Sequence, residues 1–365
     1  MTTRLVLVGT GNQGEAWCRE FLPPNEADGT VDVVAAVDPD ADALARGREL
    51  LDLPERRCYE SAASAVEARD VDALALVVPP SVREPLVDLA VEEGLDLLCE
   101  KPLADTLEAA VRIVRRVEDA DLRLGVTMTQ RYRRDVTTLR RRVRSGEYGP
   151  VDNCYCRYAI NARSYGTWKP TRLYDVEHHP MLVEGSIHHL DLLADVVGER
   201  ARTVFCHAWN PPHSAFAGTP NATVQVVTEG ETSITYEALN TVAATFNGWG
   251  SEHVRVDCVD GTLALDGSEL RAFPYDPESE GFVGNTRFEA GEAVPLDEQA
   301  KWGNAWLVEQ FDDWRDGGEP MATNGRDNLH AMAMVFAAIE SAETGEAVDV
   351  QSVLADAEDA VDHAE

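Results

Sequence analysis

Lysine is almost missing from this sequence: Lys101, Lys169 and Lys301 are the only three, and arginine supplies the rest of its 32 basic side chains. Against these stand 65 Asp and Glu residues, giving a net charge of −33. Such a surface repels nucleic acid and anionic membranes, so neither is expected as a partner. No run of about eighteen apolar residues occurs, which excludes a helical membrane span. Met1-Thr2-Thr3-Arg4 leads straight into Leu5-Val6-Leu7-Val8, an apolar stretch too short for a signal-peptide core and followed by glycines instead of a cleavage site. The seven cysteines are scattered, with no two Cys-x-x-Cys units to hold zinc. Reduced thiols and a cytoplasmic location are the simple expectation.

The acid excess itself has two readings. One is an ordinary acidic enzyme; the other is adaptation to salt, since at molar ionic strength the Debye length falls to about 3 Å and screens self-repulsion between surface carboxylates. The size of the imbalance favours salt adaptation.

What is present has the length of two domains: 365 residues, 44% of them apolar. The first third alternates strand and helix signals. Leu5–Val8, Val33–Val37, Ala73–Val78, Leu95–Cys99 and Leu122–Thr127 read as strands, with helices expected at Glu15–Leu22 (ended by Pro23-Pro24), Ala41–Leu51, Val82–Glu93 and Leu107–Glu118. That rhythm predicts a parallel sheet with helices on both faces. Past Gly149-Pro150 the pattern changes to a long strand over Val151–Ile160, one helix at about Met181–Val197, and five further strand candidates between Thr203 and Leu265. The fold class expected is an α/β Rossmann domain over 1–130, then an α+β domain with a mostly antiparallel open sheet over 131–365. The last helices are free to pack back on the first domain.

Gly9-Thr10-Gly11-Asn12-Gln13-Gly14 follows the first strand and opens a helix, and Asp38 ends the second strand. In this context the glycines permit a tight turn and close approach of a pyrophosphate, whose charge the helix N-terminus stabilises. Asp38 would accept hydrogen bonds from the adenosine ribose and repel a 2′-phosphate, so NAD is expected over NADP. The bland reading is a turn with Asp38 capping the next helix. Glu100-Lys101-Pro102 closes another parallel strand, at the edge where such sheets bind ligands. A lysine kept where arginine serves almost everywhere points to a need for a compact, tunable ammonium, although a simple ion pair with Glu100 would also use one.

Together these motifs resemble the Gfo/Idh/MocA family of oxidoreductases, named for glucose–fructose oxidoreductase and inositol dehydrogenase. The resemblance also takes in Val77-Val78-Pro79-Pro80, Arg131-Tyr132, Gly146–Val151 and Ser341-Ala342-Glu343-Thr344-Gly345. It implies that Pro79, Pro80, Glu100 and Lys101 border the cofactor. The family pattern of Asp, then Gly, His and a second Asp meets Glu184-Gly185-Ser186-Ile187-His188-His189-Leu190-Asp191 here. His188 and Asp191 match, while Glu184 and Ser186 depart. At helical spacing Glu184 and His188 share a face, so a carboxylate can still orient the imidazole; His189 is the second choice.

The implied chemistry is reversible hydride transfer to or from a hydroxyl carbon of a sugar, polyol or sugar acid. Histidine, with an ordinary pKa of about 6.5, suits the acid/base, and Lys101 suits stabilisation of the developing oxyanion. The competing reading of His188 is a core histidine. His178, His179, Glu184, His188, His189 and Asp191 lie close in sequence, but the resemblance calls for no metal, and none is expected. Two rival functions stand beside the dehydrogenase: a non-catalytic dinucleotide sensor, and an NAD-dependent glycosidase. A homo-oligomer, dimer or tetramer, is expected from the family. Finally, Arg131 to Arg172 carries eleven basic residues against Asp135, Glu147 and Asp152. Within it, Arg131, Arg163, Trp168, Lys169 and Arg172 are candidates for substrate contact, with a plain surface loop as the alternative.

Overall fold

The computed structural model describes residues 2–167, 171–278 and 286–363. Two compact units emerge: Met1–Tyr132 with Ala300–Leu329 and Ala357–Glu365, and Arg133–Gln299 with His330–Asp356. The division is thus discontinuous, and two late segments belong with the N-terminal unit.

In the first unit, β1 (Thr3–Val8), β2 (Val31–Val37), β3 (Cys58–Tyr59), β4 (Ala73–Leu76), β5 (Asp96–Cys99) and β6 (Leu124–Val126) form an all-parallel sheet in the order β3-β2-β1-β4-β5-β6. Its central strands are buried on both faces, hence their unbroken apolar runs. The order reverses between β1 and β4. Val8 lies opposite both Val37 and Leu76, and Leu76 opposite Cys99. That register brings the residues that follow, Gly9, Asp38, Val77 and Glu100, to one carboxyl edge of the sheet, where open parallel sheets bind ligands.

The helix expected up to Leu22 is built differently. Asn12–Ala16 is α-helical, Trp17–Phe21 is a π turn, and Pro23-Pro24 opens the next short helix, Pro23–Ala27. Proline is tolerated there because the first N–H groups of a helix lack partners anyway. The π turn buries Trp17 and Phe21 with ring centroids 4.9 Å apart. They share a core with Leu5 and Leu7 of β1 and with Leu307, Phe311 and Met321 of the returning segment.

The second unit is built on a sheet of nine strands among the described residues: β7 (Val151–Ala159), β8 (Ala201–Trp209), β9 (Asn221–Thr228), β10 (Ser233–Leu239), β11 (His253–Cys258), β12 (Gly261–Asp266), β13 (Glu269–Pro274), β14 (Glu292–Ala293) and β15 (Val348–Asp349). The order is β14-β13-β12-β11-β7-β10-β9-β8-β15, antiparallel except for the β7–β10 pair. Alternation along β7 turns Cys154, Cys156 and Tyr158 inward. The helix Ile187–Val197, buried along its whole length, lies over β7 and β10 and packs against Arg134–Arg144. It is shorter than the sequence suggests, because Leu182–Ser186 forms a π turn. All seven cysteines are free thiols. Among the described residues no helix is long and apolar enough to cross a membrane.

Arginines of the helix Arg134–Arg144 find counter-charges within this unit. Arg140 and Arg144 pair with Asp195, at 2.8 and 3.0 Å, and Arg141 pairs with Asp297 at 2.9 Å. Those arginines answer carboxylates distant in sequence and hold the helix Arg134–Arg144 in place.

Candidate active site

The first unit contributes a turn shaped for a dinucleotide. Gly9 has φ +97°, and a Cβ there would sit 2.2 Å from the Val77 carbonyl oxygen, so only glycine fits. A Cβ on Gly14 would meet the Gly9 oxygen at 2.3 Å, which is the close approach of helix to turn that the third glycine allows. Gly11 differs: its Cβ direction is open, leaving room beside the backbone at the N-terminus of Asn12–Ala16. Asp38 is half-buried at the end of β2. One of its oxygens accepts from the Thr10 N–H at 2.8 Å, and the other from the Asp40 N–H at 2.9 Å. The carboxylate thus ties the glycine turn to β2, and it caps nothing: the next helix is capped by Asp40. An ionised carboxylate has about four acceptor positions, so capacity is left for ribose hydroxyls. These features fit a bound NAD. Asn12 and Gln13 are exposed in the first turn, Pro79 is exposed and Pro80 half-buried in the loop after β4.

Glu100 is buried, and its partners were not visible from sequence. It accepts from Trp17 Nε1 at 2.7 Å and Gln13 Nε2 at 3.2 Å on one oxygen, and from Thr127 Oγ1 at 2.8 Å on the other. The π turn is what delivers the indole N–H. Lys101 follows at once, half-buried, its own N–H donating to Thr127 Oγ1 at 3.3 Å. Arg83, fully buried, donates to the Leu103 carbonyl at 2.7 Å and the Val78 carbonyl at 2.8 Å. It fastens the loop after β4 to the segment that carries Lys101.

Within the second unit, His188 is buried in the first turn of Ile187–Val197, with its ring 5.0 Å from that of Trp249 in an edge arrangement. His189 is tied up in a different way. Its Nδ1 lies 2.8 Å from Tyr236 Oη and its Nε2 3.1 Å from Glu252 Oε1. Glu252 also pairs with Arg133, which bridges to Asp135. Burial disfavours the Glu252 carboxylate, but the hydrogen bond from His189 and the charges of His189 and Arg133 outweigh it and hold its pKa down to about 2. The two adjacent histidines therefore have separate settings, with His189 inside a buried ionic chain and His188 beside an indole. Asp191 is buried one turn beyond His188.

Glu184 lies in the π turn and accepts from Arg172 at 2.8 Å; Arg172 is exposed. Arg131, in the first unit, is buried against the Ala322 carbonyl at 3.0 Å and Asp327 at 2.9 Å. Arg163 is half-buried, and its carbonyl accepts from the Ala215 N–H. Tyr174, from the same loop, is core: it stacks on Phe216 at 4.1 Å. Trp168 and Lys169 lie outside the described residues. Among the described residues no group of three His, Cys, Asp or Glu side chains could hold a metal. Sequence reading missed Trp17, Arg83, Thr127, Arg133, Tyr236, Trp249 and Glu252. Of these only Trp249, between Gly248 and Gly250, carried a local signal, that of an aromatic residue held in a turn.

Residues 3–128 match the family model GFO_IDH_MocA, described as an oxidoreductase family with an NAD-binding Rossmann fold. A protein designated y4oX from Sinorhizobium fredii is 41% identical over 354 residues, covering 97% of each chain. D-apiose dehydrogenase of Paraburkholderia graminis is 27% identical over 96% of this chain and 90% of that one. Among solved structures, an oxidoreductase from Agrobacterium radiobacter in complex with NAD+, L-tartaric acid and magnesium superposes with a TM-score of 0.79 at 21% identity, covering 96% of this chain and 99% of that one.

Proposed function

This chain belongs to the Gfo/Idh/MocA family of oxidoreductases, and we propose that it is an NAD-dependent dehydrogenase acting on a hydroxyl carbon of a sugar, polyol or sugar acid. The observation that carries this reading is the carboxyl edge of the parallel sheet. There a turn only glycine can make and an open N-terminus adjoin Asp38, and Lys101 follows the buried, triply bonded Glu100. Relatives named as dehydrogenases of D-apiose and of inositol support the substrate class.

NAD, when bound, supplies the hydride acceptor. Gly9, Gly11 and Gly14 with the first turn of Asn12–Ala16 would hold its pyrophosphate, and Asp38 its adenosine ribose. His188 takes the hydroxyl proton as the alcohol is oxidised and returns it in the reverse direction. Lys101 offsets the negative charge that develops on the same oxygen. Glu100 positions Lys101: it is itself fixed by Trp17, Gln13 and Thr127, and the Lys101 backbone hangs on the same threonine. A panel of sugars, polyols and sugar acids with NAD in molar KCl tests the proposal. Formation of NADH with at least one member is expected, and none with any member contradicts it.

A further inference from the structure

Trp249 exposes 52% of its surface, an unusual outlay for the largest apolar side chain. Yet its loop is anchored. The Gly250 N–H donates to Glu252 Oε1 at 3.2 Å, and the Gly250 carbonyl accepts from Arg133 Nη2 at 3.1 Å and Ser268 Oγ at 3.2 Å. On the other side, the Asn247 carbonyl accepts from the β7 residue Ala159 at 2.8 Å, and the Ser251 N–H donates to the Gly248 carbonyl at 2.8 Å. Both Arg133 and Glu252 belong to the buried ionic chain, so the turn that presents the indole hangs on desolvated charges. The ring stands edge-to-face with His188 at 5.0 Å and with Tyr158 at 6.4 Å. An indole fixed in this way is a rigid apolar surface that loses little entropy when something is laid on it.

We infer that Trp249 is the platform on which the substrate lies, and that the enzyme therefore selects ring-form polyols and pyranoses over open-chain ones; the inference rests on the dehydrogenase reading above. A six-membered ring presents a fixed face of C–H bonds that an indole can cover, with its hydroxyls directed outward beside His188. An open-chain polyol has no such face and must freeze several torsions to imitate one.

The test compares wild type, Trp249→Phe and Trp249→Ala on myo-inositol and D-glucose as ring probes and D-sorbitol as the open-chain probe. Oxidation with NAD is followed, and binding is followed separately by ligand-observed NMR at saturating NAD. In wild type the ring probes bind and react better than sorbitol. Trp249→Ala raises KM for the ring probes about tenfold, the scale of one aromatic contact, and changes kcat much less. Trp249→Phe recovers most of the loss, and KM for sorbitol hardly moves. Equal losses for ring and open-chain probes, or unchanged KM for all three, overturn the inference. So does an altered molecular mass at unchanged KM, which makes the exposed Trp249 and Phe246 a subunit contact instead. If wild type forms no NADH with any probe, the dehydrogenase reading fails on its own, and the NMR arm still decides this one. Weaker ring binding in Trp249→Ala supports the platform; equal binding, or no binding to wild type, sinks it.

Discussion

Replacing Glu252 by glutamine removes one charge from a place that water does not reach. The side chain is 3% exposed and meets His189, Arg133 and the Gly250 N–H. Breaking a buried ion pair by deleting one partner costs about 3–5 kcal/mol. Asp135 still faces Arg133 in the variant, so the lower end applies. Proton linkage gives an independent figure. A glutamate normally titrating at 4.5 is held at about 2 in the folded protein, which at about 1.4 kcal/mol per pH unit is about 3 kcal/mol of stability. The folded pKa is depressed, so this contribution is complete above 4.5 and disappears as pH falls towards 2. Urea unfolding of wild type and Glu252→Gln in molar KCl should therefore show a deficit of about 3 kcal/mol at pH 7, shrinking to roughly half by pH 3. A deficit below about 1 kcal/mol at pH 7, or one that does not change with pH, would refute the reasoning. The first result would mean that the chain is no buried ion pair; the second, that glutamine is merely a poor fit.

Three further outcomes follow from named contacts. Asp38→Ser should lower the preference for NAD over NADP about tenfold, because like-charge repulsion of even ~1.4 kcal/mol is relieved; an unchanged ratio of catalytic efficiencies removes Asp38 from cofactor choice. The melting temperature should rise steeply from dilute buffer into molar KCl. Salt also weakens exposed ion pairs such as Arg46–Glu15, each worth only about 0–1 kcal/mol, so a flat or falling response would rule out carboxylate self-repulsion as the dominant effect. Lys301→Arg should lower the melting temperature by several degrees, since the ammonium is enclosed by Asp28 at 2.6 Å, Asn25 at 2.7 Å, Thr30 at 3.0 Å and Glu309 at 3.1 Å, a cage too small for a planar guanidinium. An unchanged value contradicts that geometry.

The parts of this molecule legible in the sequence are those whose physical demand falls on single positions or short runs. Gly9 and Gly14 are forced by backbone contacts, and β1 and β4 read as apolar runs because both sheet faces are covered. What escaped depends on residues far apart in the chain. Nothing near Glu100 announces that Trp17 will reach it, because a π turn rotates the indole there. Pro23-Pro24 reads as a helix stop, yet the pair starts a new helix. His188 and His189 are equivalent as letters; they are distinguished by Glu252 and Tyr236, which lie 63 and 47 residues further on from His189. Nothing near the arginines of 134–144 in the sequence points to Asp195 and Asp297, which answer them only once the fold brings those carboxylates to that helix.

The central claim is that Lys101 and His188 act together on one hydroxyl group. Its most direct test is steady-state kinetics of Lys101→Ala, His188→Ala and the double variant on the best substrate from the panel, with NAD affinity measured alongside. Each single variant should lose about 10²–10⁴ in kcat while binding NAD normally. The double variant should be little worse than either, because residues that act as a unit are not additive. Near-normal turnover in either single variant, or a double variant whose loss is the product of the two, would contradict the account.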